Sequence, residues 1–589
     1  MGIISSLFTD SNFKETIKIM KQNSKDSKSD LQIALKEMKG IFVSLGIYSL
    51  FLNILMLAAP FYMLVVYDLV MPSKNLNTLL LVTVLTIMFF AGMWILDYVR
   101  SKLMIYASNK LDLIMNQRLF NATFDLAAKY PDKANIQPMR DFSSIKQFMG
   151  GPAVFAFFDF PWFPIYIAIM FIFSPIYGIY GIIATAIIIL LTWINEKTTK
   201  EGLEESNNEY RSALSFFENN IQNVEVVKAM GMKQNLYRMW LEKYNKYLIT
   251  HNDASTKASF YSNASKSFRM LASSMMYGVG AILAIMGMIS PGMIIAGAVL
   301  MGRALQPITQ IVSTWKSFTN AKIAYGKLND LLLEFPEADE KISLPEPKGV
   351  ISFENVVTVP PLSKKPVLKG ISLVINAGEM VGVIGPSAAG KSSLAKTIVG
   401  VWHPASGHIR VDGADISQYN PDTFGRYIGY LPQDIELFEG TIAQNISRFD
   451  ENPNDEDIIA AAKLSGTHEL ILNLPDGYST RVGTRGMSLS GGQKQRIGLA
   501  RALYGKPKII VLDEPNSNLD DAGEYALMLA LQRLKEQKIT VVFITHKQNI
   551  LKLADKLLVI KDGQVVMYND RDKVIEALSP KAQKQQTQG

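Results

Sequence analysis

A glycine-rich stretch, GPSAAGKSS, lies between an apolar run and a predicted helix. Its fixed positions Gly385, Gly390, Lys391 and Ser392 match the frame G-x-x-x-x-G-K-[ST]. In such a loop, backbone N–H groups close around phosphates, the lysine reaches the β- and γ-phosphates, and the hydroxyl ligates Mg²⁺. The pattern therefore predicts that the loop binds a nucleoside triphosphate. The residues predicted to line the triphosphate are Gly385, Pro386, Ser387, Ala388, Ala389, Gly390, Lys391, Ser392 and Ser393.

Two adjacent carboxylates, Asp513 and Glu514, end the β-branched run KIIVLDEP. A strand of this kind presents its terminal side chains at the edge of a parallel sheet. We expect Asp513 and Ser392 to hold Mg²⁺, and Glu514 to polarise the attacking water. An isolated Asp-Glu pair could equally cap a helix. The phosphate loop earlier in the chain favours the catalytic interpretation.

The pentapeptide LSGGQ, residues 489–493, begins a predicted helix about 100 residues after Lys391. The N–H groups of Ser490, Gly491 and Gly492 would form a second anion site at that helix start. Alone, the pentapeptide could be an ordinary helix cap. Together with the phosphate loop and the Asp-Glu pair, it resembles the signature motif of the ATP-binding cassette (ABC) family.

This resemblance implies roles for further residues and identifies the nucleotide as ATP. Gln433 in YLPQD is similar to the glutamine that senses Mg²⁺ and the membrane domain, and His546 in FITHK to the switch histidine at the γ-phosphate. Gln493 belongs to the signature, and Asp520 in SNLD to the loop that crosses to the partner cassette. In the family, each ATP lies between one subunit's phosphate loop and the other subunit's signature. One copy of each motif therefore implies a homodimer.

One position departs from the family pattern. An aromatic residue usually stacks on adenine some 25 to 30 residues before the phosphate loop, whereas this chain has Pro360 near that place. Loose selectivity for the nucleotide base is therefore expected. The phosphate chemistry does not depend on this contact.

The composition indicates a membrane protein. Of the 589 residues, 48% are apolar and only 19% charged, which excludes a disordered or collagen-like chain. The net charge of +7 is attributed to basic residues that flank membrane spans, and no nucleic-acid partner is predicted. The absence of cysteine excludes disulfides, thiolate metal sites and a cysteine nucleophile.

Apolar runs long enough to cross a bilayer predict six spans. The first two cover 41–70 and 78–96. Two more lie in 154–194, interrupted at Ser174-Pro175, and the last two in 267–311, interrupted at Ser290-Pro291-Gly292. The long basic connections 97–150 and 196–266 belong in the cytoplasm by the positive-inside rule, where their polar composition suits helices that continue out of the membrane. Asp159, among aromatic residues of the third span, has either a functional role or an interfacial position.

Beyond a proline-rich linker, short β-branched runs alternate with helical stretches at 378–385, 408–412, 508–513, 540–545 and 557–560. The predicted fold is therefore an all-α membrane domain of six helices, exporter-like, with long cytoplasmic extensions, followed by an α/β P-loop nucleotide-binding domain. The predicted domains are a basic N-terminal segment (1–40), a transmembrane domain of the type IV exporter kind (41–334), a linker (335–349), the cassette (350–579) and a disordered tail (580–589).

The membrane half resembles a narrower family. Segments such as RDFSSIKQFMGGPAVFAFFDFPWFP, EVVKAMGM and MGRALQPITQIVSTWKSF are similar to those of type I secretion ABC exporters of the PrtD class. Such a resemblance implies an inner-membrane ATPase and permease. Its partners would be a periplasmic adaptor, a TolC-like outer-membrane channel and a secreted polypeptide with a C-terminal signal.

Three alternatives share parts of the pattern. An ABC exporter of lipid or small hydrophobic compounds would have the same cassette and spans. A gated channel or regulator would bind ATP without turnover, but such proteins often lose residues equivalent to Glu514 or His546. A soluble chromosome- or repair-type ATPase would lack the six apolar spans.

Overall fold

A computed structural model describes residues 29–131, 135–337, 344–361, 363, 365–483 and 489–578. The chain divides into two compact units. In the described residues, the first unit consists of 29–123 and 135–337. The second unit consists of 124–131 and the described residues from 344 onwards. Most of the predicted N-terminal segment, the centre of the predicted linker and the predicted tail lie outside the described residues, so the predicted domain boundaries remain predictions.

The first unit consists of helices in its described part. The helices of the first span are interrupted by a π-helical turn at Val66–Val70 and end in the short helix Met71–Ser73, and a 3₁₀ turn at Phe160–Trp162 precedes α7. The helices are α1 (Asp30–Glu37), α2 (Lys39–Leu55), α3 (Ala58–Val65), α4 (Leu76–Lys129), α5 (Gln137–Gly150), α6 (Ala153–Asp159), α7 (Phe163–Phe173), α8 (Pro175–Ile221), α9 (Val224–Ala229), α10 (Lys233–Ile285) and α11 (Pro291–Glu334).

Six helical segments of this unit are long and apolar enough to cross a membrane. They are Lys39–Ser73, Leu76–Lys129, Ala153–Phe173, Pro175–Ile221, Lys233–Ile285 and Pro291–Glu334. The six predicted spans are thereby confirmed. Four of the segments exceed 40 residues. Since about 20 residues cross the bilayer core, these helices must continue well beyond it, as predicted.

The two predicted interruptions coincide with helix starts. Ser174 and Ser290 are the N-caps of α8 and α11, and their hydroxyls accept the N–H of Ile176 and Met293, both at 3.3 Å. Proline occupies the first helical position in both cases. Because that position needs no N–H acceptor, proline fits there without loss of a hydrogen bond. Local chemistry therefore sets where the fourth and sixth spans begin.

Asp159 lies in a polar cluster. Its Oδ1 accepts hydrogen bonds from Nη1 of Arg100 at 2.8 Å and from Nδ2 of Asn53 at 3.1 Å. The same Arg100 Nη1 donates to the hydroxyl of Ser49 at 3.1 Å. The carboxylate therefore links the helices of the first three spans. Packing of the helices explains an acidic residue here without a role in transport.

The second unit contains twelve strands among its described residues, arranged in three sheets. A six-stranded sheet has the order β12-β11-β3-β10-β9-β6 and is parallel except at β12; a four-stranded antiparallel sheet has the order β2-β1-β4-β5; and β7 pairs with β8. The strands are β1 (Ile351–Thr358), β2 (Leu368–Ile375), β3 (Met380–Ile384), β4 (Ser406–Val411), β5 (Ala414–Asp415), β6 (Ile428–Leu431), β7 (Gly440–Thr441), β8 (Arg481–Val482), β9 (Ile509–Asp513), β10 (Thr540–Ile544), β11 (Lys556–Lys561) and β12 (Gln564–Asp570).

All five predicted strands are present, and the fold class is confirmed. The sequence pattern missed several other strands, among them β1 and β2 of the antiparallel sheet. In β1, the pairing register shifts between Phe353 and Val356, where Asn355 adopts a left-handed conformation. Such a bulge breaks the strict alternation by which a strand is recognised in a sequence.

Helices cover both faces of the six-stranded sheet. The α-helices in the described part of this unit are α12 (Lys391–Ile398), α13 (Ile442–Ile446), α14 (Asp455–Leu464), α15 (His468–Leu472), α16 (Gly491–Leu503), α17 (Asp521–Glu536), α18 (Gln548–Leu551) and α19 (Arg571–Leu578), together with one helical turn at Pro421–Phe424. Alternate residues of β9 belong to separate hydrophobic clusters. Ile509 and Val511 pack with α12, whereas Ile510 and Leu512 pack with α16 and α17. The central sheet therefore separates α12 from α16.

Arg448 connects the end of α16 to the turn at Gly425. Its guanidinium donates to the carbonyls of Gly425 at 2.7 Å, Arg501 at 3.0 Å and Ala502 at 3.2 Å. Burial, with a smaller contribution from Arg501, lowers the pKa of Arg448 to about 10, so the group remains charged at neutral pH. One side chain thereby satisfies three carbonyls that would otherwise lose their partner.

Replacing Arg448 with methionine is expected to destabilise the second unit by about 2–4 kcal/mol, because three carbonyls lose a charged donor while the volume is nearly kept. Thermal unfolding of the purified protein would show a lower midpoint. The matched control is Arg410→Met, which removes a surface ion pair with Glu354 and one long hydrogen bond to the carbonyl of Gly413, a loss of about 1 kcal/mol. Equal midpoints for the two variants would contradict the anchoring role of Arg448.

Candidate active site

The phosphate loop connects β3 to α12, as predicted. Gly385, Ala388 and Gly390 have φ of 157°, 62° and 103°. These left-handed conformations bend the chain so that the first turn of α12, whose N–H groups have no acceptor within the helix, opens onto the loop. Nζ of Lys391 lies over the loop and donates to the carbonyls of Gly385 at 2.8 Å and Pro386 at 3.0 Å. A triphosphate would offer this ammonium group stronger, anionic acceptors.

Replacing Gly385 with alanine is expected to weaken ATP binding at least about tenfold, because the added Cβ would lie 2.1 Å from the carbonyl oxygen of Ile560 and the backbone would be strained. Binding of a fluorescent ATP analogue to the full chain measures the effect. Gly425→Ala is the control, since a Cβ there meets nothing within 4 Å. Unchanged affinity of the Gly385 variant would contradict the predicted role of the loop.

Asp513 ends β9 beside the phosphate loop, in the position predicted for a metal ligand. The residue is only 2% exposed, and its Oδ1 has no hydrogen-bond partner among the described residues. Burial raises the pKa of Asp513, while a hydrogen bond with Ser392 opposes that shift. A buried carboxylate oxygen without a partner, beside a serine hydroxyl, fits a hard cation such as Mg²⁺.

Glu514 follows with φ of 51°, and its N–H donates to the carbonyl of Ile544 at 3.0 Å. This left-handed turn directs the chain away from the strand immediately after Asp513. Nε2 of Gln433 donates to Oε2 of Glu514 at 3.4 Å, so the two residues predicted as catalytic are neighbours. A glutamine amide and a carboxylate that lie side by side can orient a water molecule that contacts both groups.

His546 lies at the same sheet edge. Ile544 of β10 is paired with Asp513 of β9 in a parallel register, and His546 comes two residues after Ile544 with its ring exposed. The preceding residue, Thr545, donates through its hydroxyl to Oδ1 of Asn516 at 2.7 Å. The histidine is therefore held close to the Glu514 turn and remains free to meet a ligand.

The signature segment forms the start of α16. Ser490 is the N-cap: its hydroxyl accepts the N–H of Gln493 at 3.3 Å, and Oε1 of Gln493 accepts the N–H of Ser490 at 2.9 Å. A Cβ on Gly492 would lie 2.7 Å from the carbonyl oxygen of Asn518, so a larger residue there would displace the neighbouring loop. The helix start is present as predicted, with its N–H groups at the positive end of the helix dipole, and anion binding there remains a prediction.

Asp520 has a structural role within its own chain. Its Oδ1 caps α17 by accepting the N–H of Gly523 at 2.9 Å, and it forms an ion pair with Arg496 of α16. These bonds lower the pKa of Asp520. The predicted contact of Asp520 with a partner cassette remains a prediction.

Sequence reasoning missed Gln495. Its amide is almost fully buried, donates to the carbonyl of Glu514 at 3.1 Å and accepts the N–H of Asn518 at 2.9 Å. It therefore connects the signature helix to the loop that carries Glu514, the predicted catalytic carboxylate. The sequence did contain a signal for this contact, because Gln495 falls on the apolar face of the predicted helix. A buried amide on such a face needs hydrogen-bond partners from another segment.

The predicted site residues form two groups. The phosphate loop and α12 pack on one face of the six-stranded sheet, with Asp513, Glu514, Gln433 and His546 at its edge. The signature helix α16 packs on the opposite face. The site geometry and the predicted residues define an ATP-hydrolysing cassette in which the signature lies apart from the phosphate loop of its own chain.

Comparison with known proteins identifies the family. Residues 368–517 match the ABC transporter family, and residues 42–308 match the ABC transporter transmembrane region. The type I secretion system ATP-binding protein PrsD of Rhizobium meliloti (strain 1021) is 37% identical over 94% of this chain and 95% of its own length. The chain therefore belongs to the type I secretion ABC transporters.

More distant relatives agree. The leukotoxin translocation ATP-binding protein LktB of Mannheimia haemolytica and the toxin RTX-I translocation ATP-binding protein of Actinobacillus pleuropneumoniae are each 29% identical over 90% of this chain and 76% of their own length. A bacterial Atm1-family ABC exporter with ATP bound has the same fold, with a TM-score of 0.80, 21% identity and coverage of 94% of this chain and 98% of that chain.

These matches confirm the predicted family, the ATPase class, ATP-driven protein export as the kind of activity, and an inner-membrane protein with a cytoplasmic nucleotide-binding domain. The alternative of a lipid or small-molecule exporter receives less support.

Proposed function

We propose that two copies of this chain form an ATP-driven exporter that moves a polypeptide with a C-terminal secretion signal across the inner membrane. The observation that carries the dimer is the separation of α12 and α16 by the central sheet. One bound triphosphate cannot contact both faces of a sheet, so the two anion sites act on one nucleotide only if a second chain supplies the signature. Each dimer then has two composite sites.

In each proposed site, the phosphate loop of one chain binds ATP and Lys391 turns from its carbonyl partners to the β- and γ-phosphates. The carboxylate of Glu514 orients the attacking water, and Gln433 restricts the position of that carboxylate through its amide. His546 contacts the γ-phosphate. When bound, Mg²⁺ neutralises developing phosphate charge, and Ser392, Asp513 and Gln433 are the residues that would hold it.

We propose that the long helices transmit the closure of the two cassettes to the membrane spans. The cytoplasmic arms proposed to transmit it lie near 131–140 and 213–225. At the second arm, the short helix α9 connects two long helices and leaves apolar side chains exposed, with Val224 56% and Val226 51% exposed. Exposed apolar clusters of this kind suit a contact with another chain. Only a difference in nucleotide affinity between open and closed states can shift their equilibrium.

The proposed partners outside this chain are a periplasmic adaptor and a TolC-like outer-membrane channel. Similarity over 94% of the chain to a type I secretion protein supports them. Cross-linking in cells, followed by identification of the cross-linked proteins, tests this part of the proposal. Recovery of this chain without any envelope partner would count against it.

The cargo can be identified with the Glu514→Gln variant, which is expected to hold ATP without hydrolysing it. Purification of this variant from cells with ATP present should retain a polypeptide, and mass spectrometry would identify it. Stimulation of the wild-type ATPase by lipid, with no response to a peptide from the carboxyl end of the retained protein, would favour the lipid exporter instead.

A further inference from the structure

The first unit contains a cavity of about 350 Å³ between α8, α10 and α11. At 1.5 Å per residue, Asn195 lies about 30 Å along α8 from its outer end at Pro175. Asn263 and Ser313 lie at a similar depth along α10 and α11, measured from Ile285 and Pro291. The bilayer core is roughly 30 Å thick. The cavity therefore opens where the fourth, fifth and sixth spans leave the membrane on the cytoplasmic side.

Ten side chains that can both donate and accept hydrogen bonds line the cavity, together with apolar side chains such as Leu203 and Ile323. Four carboxamides line it, namely Asn195, Asn207, Asn263 and Asn320. Six hydroxyl groups join them, those of Thr199, Ser255, Ser259, Ser262, Ser313 and Thr319. Since a peptide group also offers one donor and one acceptor, this lining complements an extended polypeptide backbone of any sequence. The hydroxyls of Thr199 and Ser313 already donate to backbone carbonyls of their own helices, but their oxygens still offer acceptors to a ligand.

Asn195 contributes an unpaired hydrogen-bond acceptor beside the cavity. The residue is only 7% exposed, and its side-chain oxygen Oδ1 has no hydrogen-bond partner among the described residues. Its backbone carbonyl is occupied by the hydroxyl of Thr199 at 2.6 Å. A buried amide oxygen without a partner costs about 1–3 kcal/mol. A bound N–H group would remove that cost.

The charged side chains in the cavity indicate the sign of the charge that a ligand would carry. Lys200 and Lys316 line it together with one acidic residue, Glu204. In the described part of the chain, neither lysine forms an ion pair or a hydrogen bond. Two ammonium groups against one carboxylate favour a ligand that carries negative charge, such as acidic side chains or a terminal carboxylate.

We propose that this cavity binds an extended, carboxylate-bearing segment of the exported polypeptide before transport. Asn195 and the hydroxyl groups bind its peptide groups, and Lys200 and Lys316 bind its carboxylates. This proposal rests on the proposed function, because it assumes that the cargo is a polypeptide. The chain then recognises the backbone and the negative charge of the cargo and not a particular amino-acid sequence.

The test measures binding of a fluorescent Gly/Ser peptide with interspersed Glu residues to the full chain in phosphatidylcholine nanodiscs. The same peptide with Gln in place of Glu is the neutral probe. The wild type should bind the acidic peptide about tenfold more tightly, and salt should weaken that binding. The double variant Lys200→Gln, Lys316→Gln should bind the acidic and the neutral peptide equally. The Asn195→Leu variant should bind both peptides more weakly than the wild type, by a similar factor.

Lys197→Gln with Lys322→Gln is the charge-matched control, since these exposed lysines of α8 and α11 do not line the cavity. Thermal midpoints separate binding from folding, because leucine at position 195 removes an unpaired polar group and should not lower the midpoint. Equal binding of both peptides by all variants would overturn the proposed site and leave polypeptide export intact.

Two further outcomes also count against the proposed site. Failure of the wild type to bind either peptide, with an ATPase stimulated only by lipid, would overturn polypeptide export together with the site. Displacement of the acidic peptide by phosphatidylglycerol at the same two lysines would assign them to lipid headgroups and overturn the site.

Discussion

The Glu514→Gln variant is expected to hydrolyse ATP about 10²–10⁴-fold more slowly than the wild type while its ATP affinity changes little. Glutamine keeps the shape of the side chain and one oxygen acceptor, but loses the negative charge that polarises the attacking water. The backbone turn should persist, because the N–H of residue 514 donates to Ile544 independently of the side chain. Steady-state phosphate release and ATP-analogue binding measure the two effects separately.

The same variant should accumulate as a closed dimer in ATP. If hydrolysis opens the composite sites, a chain that cannot hydrolyse keeps both nucleotides clamped. Because the chain has no cysteine, single cysteines can be introduced for spin labels without removing native ones. Distances between labels in the two cassettes should shorten on adding ATP and remain short only in this variant.

Glu354→Gln provides the matched control, since it neutralises an exposed glutamate of the same domain whose partner is Arg410. Its turnover should equal that of the wild type. Normal turnover of Glu514→Gln would remove Glu514 from the catalytic role. Slow turnover of both variants would show that the loss comes from general charge and not from position.

Two inactive variants are expected to restore activity to each other when they share one dimer. Lys391→Ala removes the phosphate-binding ammonium, and Ser490→Arg fills the anion site at the start of α16. In a mixed dimer, one composite site carries both defects and the other carries neither. If the site is shared between chains, mixed dimers should regain between about a tenth and a half of wild-type turnover, since one of two symmetric sites is intact.

The experiment requires mixed dimers free of the parents. The two variants are co-expressed with different affinity tags and purified through both tags in sequence. Each variant alone, purified through two tagged copies of itself, is the control and should be inactive. Mixed dimers that are as inactive as the parents would mean that the loop and the signature act within one chain, and the proposed dimer would be wrong.

Sequence patterns alone placed the predicted motifs in the correct local structure, because each motif consists of contiguous residues. The phosphate loop, the Asp513-Glu514 pair and the signature are each short segments in which local backbone geometry and residue type suffice. The six spans were equally readable, because crossing a bilayer demands a long apolar helix, and Ser174-Pro175 and Ser290-Pro291 supply caps. Two features were not predicted. Strand β1 was missed because its bulge breaks the alternating pattern, and the buried amide of Gln495 was missed because a long-range contact leaves no periodic pattern in the sequence.

Only the tertiary structure decided which of these segments come together. The parallel pairing of β9 with β10 and β6 brings Asp513 and Glu514 beside His546 and Gln433, although these residues are separated by tens of positions in the chain. The same sheet places α12 and α16 on opposite faces, because alternate residues of each strand point to opposite sides. The sequence alone determined the motifs and the spans. The placement of the phosphate loop and the signature on opposite faces of one sheet depends on strand order and side-chain alternation, which no local pattern specifies.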